Sequence, residues 1–206
     1  MVNIGVLISG NGSNLQAIID EIDKGLINAE IKVIISNNKD AYGLIRGKNA
    51  NIESLYIEPT HCDSATYDSK LLYELKKRKV DLVVLAGYLK ILSKEFIEEY
   101  KNRIINIHPS LIPSFCGKGY YGDRVHKAVL EYGAKYTGAT AHFVDEGTDT
   151  GPIILQETVK VDDNDTVDTL KMRVLQVEHR ILVQAVKLFC DNKLSIEGRL
   201  VRVEEE

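Results

Sequence analysis

Three polar segments of this chain hold groups able to do chemistry. In Asn106-Ile-His-Pro-Ser-Leu111 a carboxamide and an imidazole stand two positions apart. On a strand such residues project to one side, while Ile107 turns to the opposite core. An amide N–H can hold a developing oxyanion, and an imidazole carries a proton near neutral pH. Alone, His108 reads as a satisfied structural histidine; an amide beside it at the carboxyl end of a strand favours a ligand-facing role.

The second segment, Ser9-Gly-Asn-Gly-Ser-Asn14, closes a strand pattern and opens a helical one. Its glycines let backbone N–H groups approach an anion, and the helix N-terminus adds partial positive charge. Leu15 stands where a dinucleotide fingerprint needs its third glycine, and Ser36-Asn37-Asn38 offers no ribose-binding acid. No Walker lysine follows either, so the turn fits a monophosphate; the bland alternative is an ordinary helix cap. The third segment, Asp145-Glu-Gly-Thr-Asp-Thr-Gly151, is bent by glycines on either side of Asp149. By itself it reads as a solvated acidic turn, and it lacks the alternating acids of a calcium loop.

Cys116 lies near His108 in a glycine-rich stretch, but a lone cysteine is more often inert than nucleophilic. His61, His126, His142 and His179 have no metal-ligand spacing, so no catalytic metal is expected. His142, among strand residues, suits a partner held behind the reacting groups.

The elements that must position these groups alternate. Strands are expected at Val2 to Ile8, Ile31 to Ile35, Ser54 to Ile57, Asp81 to Ala86 and Ile104 to Ile107. Helices are expected from Leu15, at Ala41 to Asn49, at Tyr67 to Arg78 and around Lys94 to Tyr100. Thr140 to Val144 and Pro152 to Lys160 read as late antiparallel strands around the acidic loop. From Thr166 to Phe189, Val167, Leu170, Val174, Val177, Ile181, Ala185 and Leu188 mark one long amphipathic helix, with Asp165 as its N-cap. Val201 to Glu206 reads as a short strand with a frayed acidic end. The expected fold is α/β: a Rossmann-like, doubly wound, mostly parallel sheet with late antiparallel strands and a long C-terminal helix. A single domain over 1–206 is expected, with a phosphate-binding half at 1–100 and a catalytic half at 101–206.

Composition narrows the function classes. The 206 residues are 44% hydrophobic and 27% charged, which excludes disorder and low complexity. A net charge of -4 gives no basic face for nucleic acid or anionic membrane. The 3 cysteines, Cys62, Cys116 and Cys190, form no CxxC pair and argue against a disulfide framework. With no basic leader before the first strand and no apolar run of membrane length, a cytoplasmic protein is expected.

Taken together, Ile8-Ser-Gly-Asn-Gly-Ser-Asn-Leu15, Leu85-Ala-Gly-Tyr-Leu-Lys-Ile-Leu92, Asn106-Ile-His-Pro-Ser-Leu-Ile-Pro113 and Gly138-Ala-Thr-Ala-His142 resemble the phosphoribosylglycinamide formyltransferase family over nearly the whole chain. The block around Asn106 and the later Asp149 are shared among folate-dependent formyltransferases; the Ser9 to Asn14 loop narrows the resemblance to the purine-pathway enzymes. It implies the formyltransferase fold and formyl transfer from 10-formyltetrahydrofolate to the amine of glycinamide ribonucleotide, in de novo purine (IMP) biosynthesis. It implies Asn106, His108 and Asp149 as the catalytic trio. Gly12, Ser13 and Asn14 would hold the substrate phosphate, and Glu178 would reach its ribose. Leu89, Lys90, Ile91, Leu92, Asn106, Val144 and Glu146 would line the folate pocket. A monomer or homodimer without metal, nucleic acid or membrane partner is expected.

That chemistry suits the residues. An amine attacking a formyl carbon creates an alkoxide and an ammonium, so the site must stabilise one and deprotonate the other. Asn106 and protonated His108 would donate to the oxyanion; Asp149 would favour the charged imidazole and relay the amine's proton through a water that Thr140 helps to hold. The chain departs from the family pattern in three places. Gly117 to Val125 is longer and more glycine-rich, Ser64 replaces a basic residue common near the folate tail, and Leu175 occupies a helix position that is polar in some relatives. Two other enzymes share the core. A formyltetrahydrofolate hydrolase usually has an added N-terminal regulatory domain, which is not expected before Met1. Methionyl-tRNA formyltransferase has a basic C-terminal domain, whereas Glu204 to Glu206 are acidic. A non-catalytic nucleotide-binding module, with Asn106 and His108 structural, is the alternative outside enzymes.

Overall fold

The computed structural model describes residues 1–59 and 64–204, with only the backbone of Ser64 and Ala65. Cys62, His61, the Ser64 side chain, Glu205 and Glu206 lie outside the described residues. Five strands run parallel: β1 (Val2–Ile8), β2 (Ala29–Ser36), β3 (Ser54–Tyr56), β4 (Leu82–Leu85) and β5 (Ile104–His108). In space they follow the order β3-β2-β1-β4-β5. β6 (Tyr136–Phe143) and β7 (Ile153–Lys160) extend the sheet antiparallel. A hairpin of β8 (Leu194–Glu197) and β9 (Leu200–Val203) completes it, with β9 parallel to β7.

Period-two alternation sends Ile34, Val84 and Ile105 to one face of the sheet and Ile35, Val83 and Ile104 to the other. The first face is covered by α1 (Ser13–Asp23) and the 24-residue α6 (Val167–Cys190), through Leu15, Ile18, Leu170, Val174 and Ile181. Each such aliphatic side chain contributes roughly 1.5–3 kcal/mol on burial, so α6 is fixed mainly by its stripe. The second face is covered by α3 (Ser64–Lys77) and α4 (Lys94–Glu99), through Tyr67, Leu71, Leu75 and Phe96. α2 (Tyr42–Asn49) packs at the β1 carboxyl end, and α5 (Asp123–Tyr132) precedes β6.

Three expectations are corrected. Thr166, not Asp165, caps α6: its hydroxyl accepts from Thr169 N and the Thr169 side chain returns to the cap, while Asp165 is bound by Arg173. β6 begins at Tyr136 rather than Thr140, because Gly138 pairs within the ladder, lying flat against Glu157 where any Cβ would sit 2.0 Å from its carbonyl. The last strand is half of a hairpin, turned at Gly198 with φ 63.

Candidate active site

Order reverses between β1 and β4, and ligands of open α/β sheets bind outside the strand carboxyl ends at such a switch. From the end of β1 the chain enters the Ser9 to Asn14 turn and then α1. Gly12 caps α1 at φ 74 without a side-chain bond, and no acidic residue stands in the first turn. A Cβ on Gly12 would lie 2.7 Å from Gly43 Cα, so the close approach of the turn to α2 at this point requires glycine. Among the described residues, the N–H groups of Gly10, Asn11, Gly12, Ser13 and Asn14 donate to no other protein group. They form an open set of donors at a helix N-terminus, suited to an anion.

On the second face of the sheet, Asn106 of β5 lies directly opposite His142 of β6. The His142 ring donates from Nδ1 to Phe143 O at 2.8 Å, and burial depresses its pKa and keeps it neutral. Its Nε2 is therefore an acceptor, held by Asn106 Nδ2 at 3.1 Å. That bond orients the carboxamide and uses one of its two amide hydrogens. The 144–151 loop returns over this face and brings Asp149 Oδ2 to 3.5 Å from His108 Nδ1 and Oδ1 to 3.8 Å from His142 Nε2. Asp149 has φ 57, and its Oδ2 also accepts from Gly117 N at 2.8 Å. Asn106, His108 and Asp149 thus converge.

Two details differ from expectation. His108 Nε2 faces Phe115 O at 3.0 Å while Nδ1 faces Asp149, so both ring nitrogens are turned to protein groups and neither offers a free N–H to the cleft. The Thr140 hydroxyl, expected to help hold a water, is engaged by protein groups: it donates to Ser110 O at 2.6 Å and accepts from Ile112 N and Gln156 Nε2. It braces the chain after Pro109 instead.

A cleft of ≈ 540 Å³ joins the glycine turn to this cluster. Leu89, Lys90, Ile91, Leu92, Val144 and Glu146 all line it. Leu89 and Ile91 are exposed, leaving apolar surface for a flat ring, while Lys90 Nζ sits 4.9 Å over the Tyr67 ring. Ser9 ties this segment to the turn, since its hydroxyl accepts from Leu89 N at 2.9 Å and donates to Asn37 Oδ1 at 2.7 Å. On α6, Lys171, Leu175 and Glu178 form one stripe facing the cleft. Burial lifts the Glu178 carboxyl to about 7 although Asn14 Nδ2 donates to it at 2.9 Å.

Lys171, not singled out in the sequence, and His126, weighed there only as a metal ligand, both reach the cleft. The position of Lys171 was readable from its spacing to Leu175 and Glu178. His126 was hidden because α5 follows a glycine-rich stretch; burial pushes its imidazole down to about 4, so it is neutral at ordinary pH. A second depression, of ≈ 570 Å³ between β3 and α3, is lined by no imidazole or carboxamide. Among the described residues no helix is long and apolar enough to cross a membrane.

The model of the family described as "Formyl transferase" matches residues 2–186. The chain is 41% identical over 196 residues to the phosphoribosylglycinamide formyltransferase of Escherichia coli, covering 95% of this chain and 90% of that one. It is 40% identical to the chloroplastic phosphoribosylglycinamide formyltransferase of Arabidopsis thaliana, spanning 66% of that longer protein and 93% of itself. It superposes on the crystal structure of glycinamide ribonucleotide transformylase 1 from Symbiobacterium toebii with a TM-score of 0.95 at 44% identity, over 100% of this chain and 95% of that one. With the cleft, its open turn and its amide, imidazole and carboxylate in one fold, the chain belongs to the formyl transferase family.

Proposed function

We propose that this chain transfers a formyl group from 10-formyltetrahydrofolate to the amine of glycinamide ribonucleotide, a step of purine biosynthesis. The observation that carries the reading is one cleft with an anion-ready turn at one end and the Asn106, His108 and Asp149 cluster at the other. The ribotide phosphate would sit on the Gly12 to Asn14 donors and the ribose near Glu178. The folate would lie along Leu89 to Leu92, with Val144 and Glu146 beside it. A hydrolase acting on the same folate needs no anion site for an acceptor, so the open turn favours an amine over water. Free Cys116 and Cys190 are in keeping with a reducing compartment, the cytoplasm.

The amine lone pair attacks the formyl carbon, forming a C–N bond as the carbonyl electrons move to oxygen. The second Asn106 Nδ2 hydrogen, left over from the bond to His142, donates to that oxyanion. His108, when protonated, adds positive charge beside it, and its ion pair with Asp149 holds that charge in place. The carboxylate takes the proton that the attacking amine sheds, directly or through water. Collapse of the tetrahedral carbon breaks the bond to the folate nitrogen, which takes up the proton that the carboxylate received from the amine, so no net proton is gained or lost. No covalent enzyme intermediate is needed. Purified protein incubated with 10-formyltetrahydrofolate, with and without glycinamide ribonucleotide, tests this reading. Folate turnover only with the ribotide is expected; equal turnover without it would identify a hydrolase, and none in either case would leave a binding module.

A further inference from the structure

The open donors of the glycine turn need something to hold them open, and α2 supplies it. Gly43 N donates to Gly10 O at 3.1 Å. One turn later Arg46 Nε donates to Asn11 O at 2.9 Å, its Nη2 to Asn11 Oδ1 at 3.0 Å, and its Nη1 to Gln16 Oε1 at 3.3 Å. The guanidinium also lies 4.9 Å over the Tyr42 ring. All of these acceptors are neutral, and among the described residues Arg46 forms no ion pair. Its charge is held rigidly and left uncompensated. The cleft's own Lys171, by contrast, is neutralised by Asp123 at 2.6 Å.

A trans peptide group is planar, so its C=O and the following N–H point in opposite directions. Drawing Gly10 O and Asn11 O outward onto α2 turns the N–H groups of Asn11 and Gly12 inward, toward the cleft that both residues line. The charge-assisted bond on Asn11 O also polarises the peptide unit whose other end is the Gly12 N–H, making it a stronger donor.

We propose that Arg46 is the positioning residue of the phosphate site: from outside the cleft it sets the inward orientation of the turn's donors and supplies a positive charge, bonded directly to the turn and paired with no carboxylate among the described residues, for a phosphate monoester dianion. The proposal rests on the assignment of this turn to the ribotide phosphate and deepens it. The test is steady-state kinetics of the full chain carrying Arg46→Gln, Arg46→Lys or Gly12→Ala, at several salt concentrations, with both substrates varied. Arg46→Gln is expected to raise the KM for glycinamide ribonucleotide about tenfold or more and to flatten its dependence on salt. The kcat and the KM for 10-formyltetrahydrofolate should stay within about twofold. Arg46→Lys should restore the salt dependence but, lacking the planar fork, leave the KM several-fold high. An unchanged ribotide KM in Arg46→Gln, or a parallel loss in kcat and both KM values, would overturn the role of Arg46. If the glutamine variant does not fold, a lysine variant with wild-type KM overturns it equally. A rise in Gly12→Ala alone refutes Arg46 and spares the phosphate site, whereas wild-type KM in both refutes the site itself.

Discussion

The two ends of the cleft are built from different material. At the glycine turn the groups open to the cleft are backbone donors, and α1 and α2 hold them in place. On the sheet face the polar atoms belong to side chains that meet from β5, β6 and the 144–151 loop. A backbone site tolerates changes of side chain unless a Cβ intrudes, and it grips a group that is the same in ground and transition states. A side-chain site fails atom by atom, and its interactions grow as charge develops. The first end should therefore govern KM and the second kcat.

The sharpest way to break that division lies on the sheet face. His108→Ala and Asp149→Asn are each expected to lower kcat by about two orders of magnitude or more, with fold and ribotide binding intact. Asn106→Ala should cost about two to three orders, the range of a lost oxyanion donor. Single-turnover rates beside titration of the ribotide would check this. Full activity in any of these variants removes that residue from the mechanism, and a loss confined to KM would erase the contrast between the two ends.

Glu178 sharpens the comparison because it is a buried side chain at the backbone-built end. Its carboxyl, raised by burial to about 7 from 4.5, keeps its proton in the folded chain across a window where the unfolded chain has lost it. The resulting stability is fully present below about pH 4.5 and is lost as pH rises through about 7. Above that, ionisation costs the fold on the order of 3 kcal/mol. Glu178→Gln cannot titrate, so in urea denaturation its stability relative to the parent should rise from pH 4.5 to pH 8. A difference that does not move with pH would show that burial does not govern this carboxyl. If the residue holds the ribose, the same variant also raises the ribotide KM.

Gly12→Ala should act more modestly. Its φ of 74 disfavours alanine, and the new Cβ would press on Gly43 Cα at 2.7 Å, so the turn must shift and its donors lose aim. We expect the ribotide KM to rise about tenfold while kcat changes little. Equal losses in both would mean that the turn also shapes the sheet face.

These two ends were not equally legible in the sequence. Val2 to Ile8 and Asp81 to Ala86 are apolar enough to announce buried strands, and the glycines between β1 and α1 announce an anion turn, because both signals are local. The pairing of Asn106 with His108 was local too. What brings Asp149 to them is the return of a loop over the sheet, and no spacing encodes that; only the family resemblance pointed there. The same limit explains Thr140. The β5–β6 register sets it opposite His108, but its hydroxyl is consumed by Ser110 and Ile112, a long-range matter of packing. α5 escaped notice because Val125 and Val129 are its only buried aliphatics, too sparse a stripe to register, so His126 was weighed only for metal-ligand spacing and not as a cleft residue.

The smallest effect is expected at Cys116, although it stands on the catalytic side. Its thiol donates to Pro113 O at 3.3 Å, and its pKa is pushed up by burial and then by the nearby Asp149 carboxylate, the reverse of what activates a nucleophile. Its neighbour Gly117, not Cys116 itself, makes the bond to Asp149, and that bond uses the backbone. A serine keeps the donor and the backbone, so Cys116→Ser should hold kcat and both KM values within about twofold. A folded but inactive Cys116→Ser would require a covalent formyl-enzyme. In that case the carboxamide, imidazole and carboxylate would have to be read as assisting a thiolate rather than an amine.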